Sequence, residues 1–128
     1  MVTLALYLVV LTRNGEGLWP FVHNPIEHFM VLYLDRKGGL IVQENVSVGG
    51  LHSSIVHPRE VFKTAVKRSA ASIILAHNHP SGDPAPSQED IDVTKRLVSA
   101  GEIMGIPIID HIVVGDGIYR SFKESNLI

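Results

Sequence analysis

Apolar residues fall along this chain in short blocks whose spacing alternates between strand-like and helix-like. Phe29-Met30-Val31-Leu32-Tyr33-Leu34 is apolar throughout, which predicts a strand buried on both faces. Asp35-Arg36-Lys37-Gly38-Gly39 then reads as a hairpin turn, Leu40 to Val48 as the partner strand, and Gly49-Gly50 as its end. His57-Pro58 opens a helix with proline in a tolerated first-turn position, and Val61, Phe62, Ala65, Val66 and Ala70 form its buried stripe. Ala71 to Ala76 is a short apolar strand that delivers His77 at its end. The Gly/Pro-rich stretch Pro80 to Pro86 is a loop. Ser87 begins a second helix in which Ile91, Thr94, Leu97, Val98, Gly101 and Met104 share a face, stopped by Gly105 and Pro107. Ile106 to Val114 is a further strand, bounded by Gly115-Asp116-Gly117.

Upstream, Val2 to Leu11 is an apolar run too short to span a membrane. It also lacks the basic start and small-residue cleavage site of a signal peptide, so it reads as a buried strand or helix. Asn14-Gly15-Glu16-Gly17 marks a turn, and Pro20 and Pro25 keep the following stretch irregular. Strands and helices thus alternate without repeat or linker, the pattern of one α/β domain with its sheet covered on both faces.

Composition narrows the function classes. At 128 residues, 45% hydrophobic and 19% charged, the chain has the profile of a globular protein with room for a core. A net charge of -2 supplies no general attraction for nucleic acid or anionic membrane. There is no cysteine, which removes disulfides and a thiolate nucleophile, leaves only His and carboxylate groups to hold a metal, and fits a cytoplasmic location.

The chemistry concentrates in His77-Asn78-His79. In extended backbone, positions i and i+2 project to one side, so both imidazoles can reach one ion. Asp90 follows in the first turn of the next helix, and a Gly/Pro-rich loop can fold that turn back over the strand end. Two imidazoles and one carboxylate leave a position open for water, as in catalytic zinc sites. Zinc-bound water has a pKa near 7, roughly, so hydroxide is available at neutral pH. Glu27, before the Phe29 strand, is the candidate base, and Ser87 the candidate oxyanion donor. Blander readings stand beside each of these. Ser87-Gln88-Glu89-Asp90 also fits a helix cap with a capping-box partner. Glu27 alone reads as a solvated loop carboxylate, the histidines as ordinary polar residues at a strand end, and Asp83 or Glu89 as replacements for Asp90.

Taken together, Glu27, His77-x-His79, seven residues and Ser87-x-x-Asp90 resemble the JAMM motif of the MPN+/JAB domain metalloproteases. The longer string His77-Asn78-His79-Pro80-Ser81-Gly82-Asp83-Pro84-x-Pro86-Ser87 is similar to the RadC family. So are Glu27-His28-Phe29, His57-Pro58-Arg59-Glu60-Val61-Phe62 and Asp110-His111-Ile112-Val113-Val114-Gly115, in the family's order from Glu27 to Ile128. The resemblance implies a cytidine-deaminase-like three-layer α/β sandwich, a mixed sheet flanked by helices. It implies zinc held by His77, His79 and Asp90, with Glu27 activating water and Ser87 stabilising the oxyanion. The implied activity is hydrolysis of a peptide or isopeptide amide by metal-bound hydroxide. RadC-like proteins usually carry an N-terminal helical domain resembling helix-hairpin-helix DNA-binding modules. This chain has no room for one and reads as a single domain over 1–128, with 1–23 poorly matched.

Two other functions compete. The family's description as DNA repair proteins would have the domain act on DNA or be recruited to it. Its support is a basic stripe, Arg59, Lys63 and Lys67, for which a solvated helix face is the commoner explanation. A non-catalytic binding module would not need Glu27, His77, His79, Ser87 and Asp90 together. A deaminase would need a cysteine pair among its zinc ligands.

Overall fold

The computed structural model describes residues 26–48, 56–115 and 118–128. The expectations for Val2 to Leu11, for Asn14 to Gly17, for Pro20 and Pro25, and for the Gly49-Gly50 and Asp116-Gly117 turns lie outside the described residues. The strands are β1 (His28–Leu34), β2 (Leu40–Val48), β3 (Ser72–Asn78), β4 (Ile108–Val114) and β5 (Tyr119–Ser121), and the helices α1 (Pro58–Lys67) and α2 (Gln88–Met104). One sheet runs in the order β2-β1-β3-β4-β5. β1 is antiparallel to both β2 and β3, β3 is parallel to β4, and β4 is antiparallel to β5. The parallel pair requires a crossover between β3 and β4, and α2 supplies it. β5 is a strand the apolar pattern did not announce.

The β1–β2 hairpin turns where expected. The Asp35 carboxylate accepts from the Lys37 and Gly39 amides, and Gly38 adopts φ 80°, which glycine reaches without strain. Phe29, Val31 and Tyr33 of β1 join Ile73 and Leu75 of β3 on one face. Val61, Phe62 and Ala65 of α1 and Val93 and Leu97 of α2 pack on the same face. Each fully buried Val, Leu, Ile or Phe among them contributes about 1.5–3 kcal/mol. The buried Tyr33 hydroxyl donates to the Val61 carbonyl at 2.8 Å, tying α1 to the central strand. Leu32, Leu34, Ile74, Ala76 and Ile112 form a second cluster on the opposite side of the sheet. Among the described residues both helices, α1 and α2, pack on the first face, and no helix covers this second one.

The helix faces depart from the expected stripes in detail. Val66 and Met104 are exposed, and Val93 is buried instead. α2 presents Asp90, Val93, Thr94, Leu97 and Gly101 inward, a stripe rotated from the expected one. α2 ends as read, with Gly105 in the left-handed region at φ 71°.

One irregularity reorganises β4. Ile73 pairs with Ile108 but Ile74 with Asp110, so Ile109 is an extra residue. The alternation reverses across this bulge. His111 therefore lies on the helix side, beside Phe29 and His77, while Ile112 joins the opposite cluster.

Candidate metal centre

β3 runs one pair further than the apolar block suggested, so His77 and Asn78 are its last residues and His79 follows immediately. The two imidazoles share a side, as the extended backbone requires, with ring centroids 4.7 Å apart and planes at 88°. His77 is fully buried and the His79 side chain is 14% exposed. The Pro80–Pro86 loop then returns the chain to Ser87, the N-cap of α2. Ser87 Oγ accepts from the Asp90 amide at 3.1 Å, and Asp90 Oδ2 accepts from the Ser87 amide at 2.7 Å. This capping box stabilises the helix start and also aims Asp90 at the histidines. Asp90 Oδ1 lies 3.0 Å from His77 Nδ1, and Oδ2 lies 3.1 Å from His79 Nε2. Asp83 and Glu89 are exposed, and the Asp83 carboxylate accepts from the Ala85 amide instead.

Glu27 reaches the pair from the other flank, just before β1. Its Oε1 lies 2.5 Å from His77 Nε2 and 3.9 Å from His79 Nε2. Two carboxylates thus bracket the histidines, and they differ in solvent access. The Glu27 side chain is 30% exposed and that of Asp90 is fully buried. Ligand atoms of Glu27, His77 and His79 all lie within 4.8 Å of one another, close enough to hold a metal ion.

The donor set fits such an ion in a further respect. His77 Nδ1 and Asp90 Oδ1 are buried and face each other, yet their angles do not make a hydrogen bond, and neither has another partner among the described residues. Asp90 is not in the mutually close set, although each of its oxygens lies near one imidazole nitrogen, at 3.0 and 3.1 Å, close to the roughly 3.3 Å between ligand atoms of a tetrahedral ion. His79 is oriented by its Nδ1, which donates to the Asp83 carbonyl at 2.9 Å and turns Nε2 toward Asp90 Oδ2. Burial by itself would raise the Asp90 carboxyl. The two imidazoles and the Ser87 amide outweigh it and hold Asp90 well below the usual carboxylate range. Hydrogen bonding to Asp90 raises His79 above the ordinary imidazole value, against the opposing effect of burial.

Behind the centre stand groups that sequence reasoning missed. Thr94 Oγ1 donates to the Asp90 carbonyl at 2.6 Å, so its hydroxyl accepts from His111 Nδ1, also at 2.6 Å. His111 stacks on Phe122 at 4.4 Å and meets Phe29 edge-on. Burial, and next the nearby His77, push His111 down to about 3. No periodicity reveals His111, because its side depends on the Ile109 bulge. Asn78 was visible between the two histidines but carried no signal of its own, since it projects to the opposite face. Arg59, Lys63 and Lys67 are exposed along α1, and among the described residues no helix is long and apolar enough to cross a membrane.

Comparison with known proteins places the chain among relatives. The RadC-like JAB domain model matches residues 16–127, starting upstream of Glu27 and within the stretch that motif matching left unassigned. A UPF0758 protein of Syntrophomonas wolfei is 69% identical over 106 residues, covering 83% of this chain and 45% of that protein. UPF0758 proteins of Alkaliphilus oremlandii and Methanococcoides burtonii are 62% and 58% identical over 102 residues, each covering 80% of this chain and 44% of the relative. The chain spans less than half the length of these curated relatives. The mixed five-stranded sheet with two helices is consistent with a JAB/MPN fold, and a His/His/carboxylate cluster lies where that fold's motif runs. With the family model matched over nearly its whole length, the chain belongs to the RadC-like JAB domain family.

Proposed function

We propose that this chain is a zinc-dependent hydrolase of the JAMM type, acting as a peptidase or isopeptidase. The observation that carries the reading is the facing of His77 Nδ1 and Asp90 Oδ1, buried and without hydrogen-bond geometry, beside a second histidine and a solvent-accessible carboxylate. His77, His79 and Asp90 would hold the ion. The buried carboxylate suits a ligand, and the accessible one suits a base that must exchange protons with substrate and solvent. A bound zinc ion would polarise the scissile carbonyl and acidify a water to a pKa of about 7.

The chain's own groups supply the remaining steps. Glu27 takes a proton from the attacking water and delivers it to the leaving nitrogen. Ser87 accepts from the Asp90 amide, which leaves its hydroxyl hydrogen to donate to the developing oxyanion. A peptide or isopeptide is the substrate class because an amide needs all three functions at once. A cytoplasmic location fits a chain without cysteine. Recruitment to DNA has only the exposed Arg59, Lys63 and Lys67 in its favour.

The test is elemental analysis of protein purified without chelator, paired with a peptide and isopeptide panel. Wild type should carry about one zinc per chain, and His77→Ala/His79→Ala should lose it. Glu27→Gln should keep the zinc and lose hydrolysis by about 10²–10⁴-fold. Equal metal content in the double variant would sink the ligand assignment. Equal inertness of wild type and Glu27→Gln would sink the enzyme.

A further inference from the structure

Asn78 is fully buried and projects away from the metal centre, on the face of β3 opposite His77. The β1–β3 ladder ends at the pair Phe29 and His77. Beyond that pair the backbones no longer bond, and the Asn78 side chain takes over. Its Oδ1 accepts from the His28 amide at 2.5 Å, and its Nδ2 donates to the Ile26 carbonyl at 3.1 Å. The orientation of the carboxamide is unambiguous: a backbone N–H can only donate, and a carbonyl can only accept.

These two groups flank Glu27 in the chain, one peptide unit on either side. We propose that Asn78 is a positioning residue whose carboxamide grips the backbone on both sides of Glu27 and so sets its carboxylate over the histidines. The inference rests on the hydrolase reading for its consequence in catalysis, but the grip itself does not. A carboxamide is the side chain that carries an acceptor and a donor on one short planar fork. Asp would set an oxygen against the Ile26 carbonyl, Ser is too short to span both groups, and Gln is a methylene too long. Glu27 stands one residue before β1, and its long side chain can sample many positions unless the backbone beneath it is held. Fixing it beside His77 removes that freedom in advance, which is how groups that touch no substrate influence a reaction.

The experiment compares wild type, Glu27→Ala, Asn78→Ala and Asn78→Ser as whole chains, with the Ser variant guarding against an Ala variant that does not fold. In metal-free protein, the ¹⁵N resonance of His77 Nε2 reports its contact with Glu27. Both Asn78 variants should move it most of the way to its position in Glu27→Ala, and hydrogen exchange at the His28 amide should accelerate. With zinc, Asn78→Ala should bind the ion within about 3-fold of wild type while kcat falls by about 10–100-fold and KM changes by less than about 2-fold. A His77 resonance at its wild-type position in both folded Asn78 variants overturns the proposal. So does a wild-type kcat in them. If wild type hydrolyses nothing, the hydrolase reading fails, while the resonance and exchange measurements still decide whether Asn78 holds Glu27.

Discussion

His111 makes the stability of this protein depend on acid in a way that one substitution isolates. The ring is completely buried between Phe122, Phe29 and Thr94, and its Nε2 has no hydrogen-bond partner among the described residues. An imidazolium there would lose its hydration and meet His77, so the folded-state pKa falls from 6.5 to about 3. In the unfolded chain the same ring protonates near 6.5. As pH drops from about 6.5 towards 3, the unfolded state takes up a proton that the folded state refuses, and stability falls. The slope approaches about 1.4 kcal/mol per pH unit, and between pH 6 and pH 4 the loss integrates to about 2.5 kcal/mol. His111→Asn keeps an N–H able to meet Thr94 Oγ1 and removes the titration. Urea unfolding of both proteins, in chelator, at several pH values between 4 and 7 reads the difference. The packing lost in the variant offsets its curve at every pH equally, so only the slopes matter. Wild type should lose about 2.5 kcal/mol more than His111→Asn between pH 6 and pH 4. Parallel curves would refute the account, because they would mean that the folded state accommodates the charge.

Two further outcomes test how the site is held. A Cβ on Gly115 would fall 2.2 Å from the Gly82 carbonyl oxygen and 2.8 Å from its carbon, both backbone atoms that cannot swing aside. Gly115→Ala should therefore separate the β4–β5 connection from the loop before α2, costing on the order of 1–3 kcal/mol by urea unfolding. It should also weaken zinc binding, because the neighbouring Val114 carbonyl accepts from the His79 amide at 2.9 Å; an unchanged urea midpoint would show that this contact is dispensable. Ser87→Ala should lose about 1 kcal/mol of cap stability together with about 10²-fold in kcat, while Ser87→Asp restores the cap and not the rate. If Asp restored both, Ser87 would be a cap and nothing more.

Much of this was legible in the chain. The wholly apolar β1, the Asp35-to-Gly39 turn, the Pro58 helix start and the Gly105 stop each follow from local chemistry, and each is found close to its expected place. The same holds for His77 and His79, because alternation along a strand is a property of the backbone alone. Spacing could not choose among Asp83, Glu89 and Asp90, since the choice depends on how the Pro80–Pro86 loop folds back. It could not place Val66 or Met104 either, because the outer limit of a helix stripe is set by what packs beside it.

By itself, then, the sequence determined the kinds of element and the presence of a paired-histidine motif, both consequences of interactions within a few residues. Tertiary structure decided the rest. It brought Glu27 to His77 across an antiparallel pair fifty positions apart, closed Asp90 onto the two rings through a helix cap, and turned His111 inward by inserting Ile109. It also gave Asn78 its hold on the backbone around Glu27. These depend on register and on one bulge, and a shift of a single residue would exchange every inward side chain for its neighbour.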